Sequence, residues 1–246
     1  LRGGCVYIKC KTDIGKAREL NEDYVIILRS NNYALIAVAD GMGGHNAGEV
    51  ASKLASLALR DFVFNNFNKY NDKTELIREA MLEANLRVYE KSKDANQLSG
   101  MGTTLTCCLM VFDKAYIGHV GDSRAYLINK DGIKKLTEDH SFVQQLVKNG
   151  TITEIEAENH PKKNLITRAI GLEKNVIVDV IEVDFNKDDL ILLCTDGLTS
   201  YLTKEEIFKI VNDKKEEAVE TLIEIANDRG GSDNISVVIA RKEDGR

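Results

Sequence analysis

In this chain the apolar runs 34–39, 116–121 and 190–195 each lead into an aspartate, in Asp40-Gly41, Asp122-Ser123 and Asp196-Gly197. Two further acidic clusters, Asn21-Glu22-Asp23 and Asp233-Asn234, stand just before apolar runs of their own. Any one of these is adequately explained as a turn, since Asp-Gly is a common turn dipeptide. The set asks for more. Strand ends at one edge of a sandwich meet in space, and carboxylates gathered there repel one another unless cations neutralise them. Hard divalent ions, held by carboxylate, backbone carbonyl and water, answer that need. The four histidines, at 45, 119, 140 and 160, form no His-x-x-x-His pair. Magnesium or manganese therefore fits the ligand types better than a histidine-based zinc site.

The segment 40–49 runs from a strand through a glycine-rich loop towards a helix. Such loops can seat phosphate on a helix N-terminus. The dinucleotide fingerprint fails because Asn46 stands at its third small position, and no Gly-Lys-Ser/Thr follows. The glycines are read instead as letting backbone approach a cation, with the Gly41 carbonyl as a ligand. A tight strand-to-helix turn explains the loop equally well in isolation. Arg18 lies three residues before Asn21. It can neutralise the acids or grip an oxyanion with its fork.

These residues need strands to carry them. Runs at 25–28 and 33–39 flank Asn31-Asn32 as a hairpin. Runs at 103–112, 115–120, 125–128 and 133–136 follow closely, then 176–183, 190–194 and 235–240. Short connections imply antiparallel pairing. Val50, Leu54, Leu57 and Ala58 recur at helical spacing, as do Ile77, Met81, Ala84 and Val88. Thr203 with Glu206 forms a capping box before a helix, and Ala218, Leu222 and Ile225 stripe the next. Thr153 with Glu156 forms a second box inside the polar, short-helical stretch 139–168, which reads as a small flap. The expected class is α+β: a central antiparallel β-sandwich flanked on both sides by antiparallel helix pairs, four layers αββα, with that flap inserted.

Composition is that of a globular protein: 246 residues, 43% hydrophobic, 29% charged, net charge −6. The acidic balance argues against a nucleic-acid partner. No apolar run spans a bilayer, and no secretory signal opens the chain. A single Pro, Pro161, and no Gly/Ser linker favour one domain over 1–246, with residues 1–4 read as a cloning or fusion remnant. The five cysteines include no Cys-x-x-Cys, so reduced thiols in a cytoplasmic protein are expected.

Taken in order, Arg18-x-x-Asn21-Glu22-Asp23, Asp40-Gly41-Met42-Gly43-Gly44, Gly102-Thr103-Thr104, Gly121-Asp122-Ser123-Arg124, Leu136-Thr137-x-Asp139-His140-Ser141, Thr195-Asp196-Gly197-Leu198 and Gly231-x-Asp233-Asn234-Ile235 form a pattern. It resembles the metal-dependent protein Ser/Thr phosphatases of type 2C, the PPM family, and most closely their bacterial branch. The likeness runs from about residue 9 to 240. It implies a centre of two tight Mn²⁺ or Mg²⁺ ions bridged by Asp40, with the Gly41 carbonyl, Asp196 and Asp233 completing it. Glu22 and Asp23 would act directly or through water. Asp122, with Asp196, would hold a third, weaker ion. Arg18 matches the family's phosphate-binding arginine, and 139–168 its variable flap.

The implied reaction is attack on phosphoserine or phosphothreonine phosphorus by a hydroxide bridging the two cations. Arg18 and the ions would offset charge on the phosphoryl oxygens. The thiol route has no support, because Ser200 stands where a Cys-x5-Arg motif starting at Cys194 needs arginine. Where eukaryotic members carry a histidine proposed as general acid, this chain has Met42, which leaves His45 or water as candidate acids. Expected partners are phosphorylated proteins and a cognate Ser/Thr kinase, with the chain a monomer. The alternatives are a catalytically dead phosphoprotein binder and a small-molecule phosphomonoesterase.

Overall fold

The computed structural model describes residues 6–43, 47–94 and 96–243, and of residue 158 only the backbone. His45, Gly44 and residues 1–4 lie outside the described residues. In chain order the strands are β1 (Val6–Asp13), β2 (Asp23–Arg29), β3 (Ala34–Met42), β4 (Gly102–Thr103), β5 (Leu105–Val111), β6 (Lys114–Val120), β7 (Arg124–Asn129), β8 (Gly132–Lys135), β9 (Asp179–Asp184), β10 (Leu190–Cys194) and β11 (Ile235–Lys242). The helices are α1 (Ala47–Asn66), α2 (Lys73–Lys91), α3 (Phe142–Lys148), α4 (Glu154–Glu158), α5 (Asp196–Thr199), α6 (Lys204–Lys214) and α7 (Ala218–Asp228).

Two antiparallel sheets face each other. One has the order β1-β11-β10-β7-β8, the other β2-β3-β5-β6-β9, with β4 beside β3. Alternation along each strand sorts side chains into separate cores. On β3, Leu35, Ala37 and Ala39 pack with Ala51, Ala55 and Leu59 of α1 and with Ile77 and Met81 of α2. Ile36 and Val38 point the other way, into the seam between the sheets, where Leu193 of β10 and Val238 of β11 meet them. Leu192, Val237 and Ile239 pack under Ile207, Leu222 and Ile223 of α6 and α7. Central strands covered on both faces read as unbroken apolar runs. The four-layer αββα arrangement expected from sequence is the one observed.

Local chemistry sets the helix starts. Both capping boxes form: the Thr153 and Thr203 side chains accept the backbone N–H of Glu156 and Glu206, whose carboxylates return to the caps. The Asp72 carboxylate accepts from the Thr74 N–H at the head of α2. Three expectations shift. The run 103–112 is two strands, because Thr103 turns to pair with Gly41 and Ile170. The run 176–183 begins as a strand only at Asp179, Ile177 being 71% exposed. Asp40 lies within β3 rather than past its end.

Candidate active site

The pleat brings the acids together. Asp23 and Asp40 are directly opposite in the β2–β3 register, so their side chains share a face. By parity with Val38 that face is the seam between the sheets. Asp196 opens α5 just beyond β10, and Asp233 stands two residues before the start of β11. The Thr195 hydroxyl crosses the seam to donate to Asp23 Oδ2 at 2.9 Å, and itself accepts the Ser236 N–H at 3.0 Å. Asp122 follows β6 at the same end of the sandwich, near enough for its charge to act on Asp40.

Neighbouring polar groups fix the backbone that carries these acids. Asp40 donates its N–H to Thr104 Oγ1 at 2.9 Å, and its carbonyl accepts from the Thr103 hydroxyl at 2.8 Å. Asn234 holds the Arg18 loop: its Oδ1 accepts the Glu22 N–H at 2.8 Å, and its amide donates to the carbonyls of Ile14 and Leu20 at 2.9 and 3.0 Å. Arg18, about half exposed, donates to Asp233 Oδ2 at 2.8 Å. The Glu22 carboxylate takes the backbone amides of Gly48 and Glu49 at the start of α1.

Burial, then the charges of Asp23, Asp196, Asp122 and Asp233, push the Asp40 carboxyl well above its usual range. Burial raises Asp23 to about 7, more than its hydrogen bonds to Ser236 and Thr195 pull it down. Burial and then Asp196 raise Asp122 to about 7. Asp196 is raised by burial and by Asp233, against the lowering effect of its hydrogen bond with Asp40. Glu22 is raised by burial, in spite of Arg18.

Among the described residues no three of these side chains already form a cage around one point. The donor set nonetheless fits hard cations. Oδ1 of Asp23 and Oδ1 of Asp196 are buried without a partner. Each such oxygen is costly to bury unpaired, and two of them among mutually repelling carboxylates call for positive charge. Among the described residues the cluster offers carboxylate and backbone oxygens, the donors preferred by Mg²⁺ and Mn²⁺.

Gly41 and Gly48 meet backbone to backbone beneath this cluster. A Cβ on Gly48 would lie 2.4 Å from Glu22 Oε1 and 2.8 Å from the Gly41 carbonyl carbon. Gly48→Ala should therefore displace Glu22 and Gly41 together. The expected loss is about 1–3 kcal/mol of stability and roughly tenfold in manganese affinity, read by thermal melting and calorimetry. A variant that binds manganese as the parent does would contradict this use of the two glycines.

Of the residues expected from sequence, Arg18, Glu22, Asp23, Asp40, Gly41, Asp122, Asp196 and Asp233 gather at this end; His45 lies outside the described residues. Sequence reasoning missed Thr195 and Ser236 as partners of Asp23. It also missed the Arg124–Asp139 pair beside Asp122, with contacts of 3.0 and 2.7 Å. The usable signal was that Thr195, Arg124 and Asp139 lie inside the quoted motifs.

A doubly covered sandwich that gathers buried carboxylates at one end suits a metal-dependent hydrolase. Residues 15–236 match the family described as Protein phosphatase 2C. The serine/threonine phosphatase stp of Listeria monocytogenes is 36% identical over 97% of this chain and 96% of its own. Stp1 of Staphylococcus aureus superposes with a TM-score of 0.89 at 35% identity, over 98% of this chain and 97% of that one. The catalytic domain of PstP, solved with two manganese ions, gives 0.86 at 34% identity, over 97% and 99%. The chain belongs to the protein phosphatase 2C family, the metal-dependent protein Ser/Thr phosphatases, in its bacterial branch.

Proposed function

We propose that this chain, as one catalytic domain over 1–246, removes phosphate from phosphoserine and phosphothreonine of cytoplasmic proteins and so opposes a Ser/Thr kinase. Asp40, the Gly41 carbonyl, Asp196 and Asp233 would hold two Mn²⁺ or Mg²⁺ ions, with Glu22 and Asp23 supporting them. Asp122 would hold a third, weaker ion with Asp196. Ions bound there supply a Lewis acid that activates water near neutral pH. The observation that carries this reading is the pair of unpartnered carboxylate oxygens, on Asp23 and Asp196, within a buried cluster of like charge.

Arg18 is the group that meets the substrate. Its guanidinium stands at the rim beside Asp233 and is half exposed, so a phosphate arriving from solvent can engage the fork. Thr195 and Ser236 keep Asp23 aimed into the seam, and Thr104 fixes the Asp40 backbone. The test is phosphate release from a phosphothreonine peptide with manganese, abolished by chelation. Arg18→Gln should raise KM roughly tenfold or more while manganese calorimetry still shows the tight ions bound. A higher kcat/KM on free sugar phosphates than on the peptide would favour the small-molecule phosphomonoesterase instead.

A further inference from the structure

The flap is tied to the site through a histidine the mechanism leaves unused. Its two strands of chain close at Ser141 and Ile166, where the Phe142 N–H donates to the Leu165 carbonyl at 2.8 Å. Just inside that closure His140 is 7% exposed and bonded on every polar atom. Its N–H donates to the Gly121 carbonyl at 2.7 Å, and its carbonyl accepts the Thr167 N–H at 2.7 Å. Its Nδ1 lies 3.0 Å from the Gly121 nitrogen, and its Nε2 3.0 Å from Asp179 Oδ2. A backbone N–H can only donate, so Nδ1 must be the accepting nitrogen and Nε2 carries the proton given to Asp179. Arg168, at the flap's trailing end, places Nη1 2.9 Å from both His140 Nε2 and Asp179 Oδ1; with Nε2 protonated it donates to Asp179, which then accepts from both residues and completes the clamp.

On the other side of His140 stands the turn that bears Asp122. Gly121 has φ +116, and a Cβ there would lie 2.5 Å from Thr104. Ser123 Oγ meets Thr104 Oγ1 at 2.8 Å, the same hydroxyl that holds the Asp40 N–H. Asp139, next to His140, grips Arg124 beyond the turn. A path of hydrogen bonds joined by the backbone of the 121–123 turn therefore runs from Arg168 and Asp179 through His140 to Ser123, Thr104 and Asp40.

We propose that His140 is a positioning residue that couples the setting of the flap to the Gly121–Asp122 turn. Filling of the Asp122 site and ordering of the flap's trailing leg are then two readings of one equilibrium, and each must favour the other. The inference rests on Asp122 being an ion ligand, as proposed above.

Hydrogen exchange in the whole chain tests it, comparing manganese sufficient for the tight pair with manganese in large excess. In the parent, the excess ion should slow exchange both at 121–123 and at 165–170, the latter by about threefold or more. His140→Asn keeps an acceptor for the Gly121 amide but cannot reach Asp179. In that variant the slowing at 121–123 should remain and that at 165–170 disappear. Asp179→Ala, at a side chain 40% exposed, should behave alike, and the double variant should lose no more than either single one. Equal slowing at 165–170 in either variant overturns the coupling, as does a parent response confined to 121–123. No response at 121–123 in the parent overturns it together with the role of Asp122, whereas peptide hydrolysis by the tight pair would survive.

Discussion

Asp40→Asn should cut manganese-dependent phosphate release from a phosphothreonine peptide by roughly a thousandfold or more, about 4 kcal/mol of barrier. The same change should stabilise the metal-free protein. Asp40 is surrounded by Asp23, Asp196, Asp122 and Asp233, and burial together with those charges raises its pKa. An amide of the same shape cannot ionise and can donate to Asp196, which already shares a hydrogen bond with Asp40. Removing one member of a mutually repelling set relieves the fold, the familiar trade between stability and a strained active site. The metal-free variant should melt roughly 3–6 °C above the metal-free parent at pH 7.5. Turnover within tenfold of the parent would remove Asp40 from the centre. A lower metal-free melting temperature would mean that the acidic cluster is not under electrostatic strain.

The second large effect is the pH dependence of stabilisation by manganese. Asp23 and Asp122 titrate at about 7 in the fold, against roughly 3.9 for an unperturbed aspartate. Below the unfolded value both states hold the proton, and the raised groups stabilise fully. Between the two values the unfolded chain has released its protons and the fold has not, so stability falls as pH rises, by about 1.4 kcal/mol per unit for each such group. Above about 7 the folded groups ionise too and the loss levels off. His119, buried and lowered to about 3 by burial and then by His140, acts in the opposite sense over part of that range. It is common to protein with and without metal, so the difference between the two melting curves isolates the cluster. That difference should widen by several degrees between pH 5.5 and 7.5, as ions replace protons on the carboxylates. A difference that is flat or narrows over this interval would refute the electrostatic account.

Legibility followed how each element is covered. β3, β5 and β10 were readable because both faces are buried and their residues form unbroken apolar runs. β1 was not, because it is an edge strand with Lys9 and Lys11 among partly exposed positions, and such a pattern looks polar. α3 was legible only as part of a short-helical flap and without bounds: seven residues with Val143 as their one buried side chain give no stripe. Both capping boxes were readable because a box is complete within four residues. Phe112, read as the end of a strand, instead takes a left-handed φ of 52° at the hairpin.

The chain alone determined the acidic set, the glycines beside it, the family pattern and the four layers, since each is written in residue types over short spans. Only the tertiary structure decided which groups hold those acids in place. Thr195 reaches Asp23 across 172 positions of sequence, and Asn234 reaches Glu22 across 212. Local spacing carries no information about such pairs. They exist because two sheets pack with a definite register, which brings chosen strand ends to one edge and buries them together.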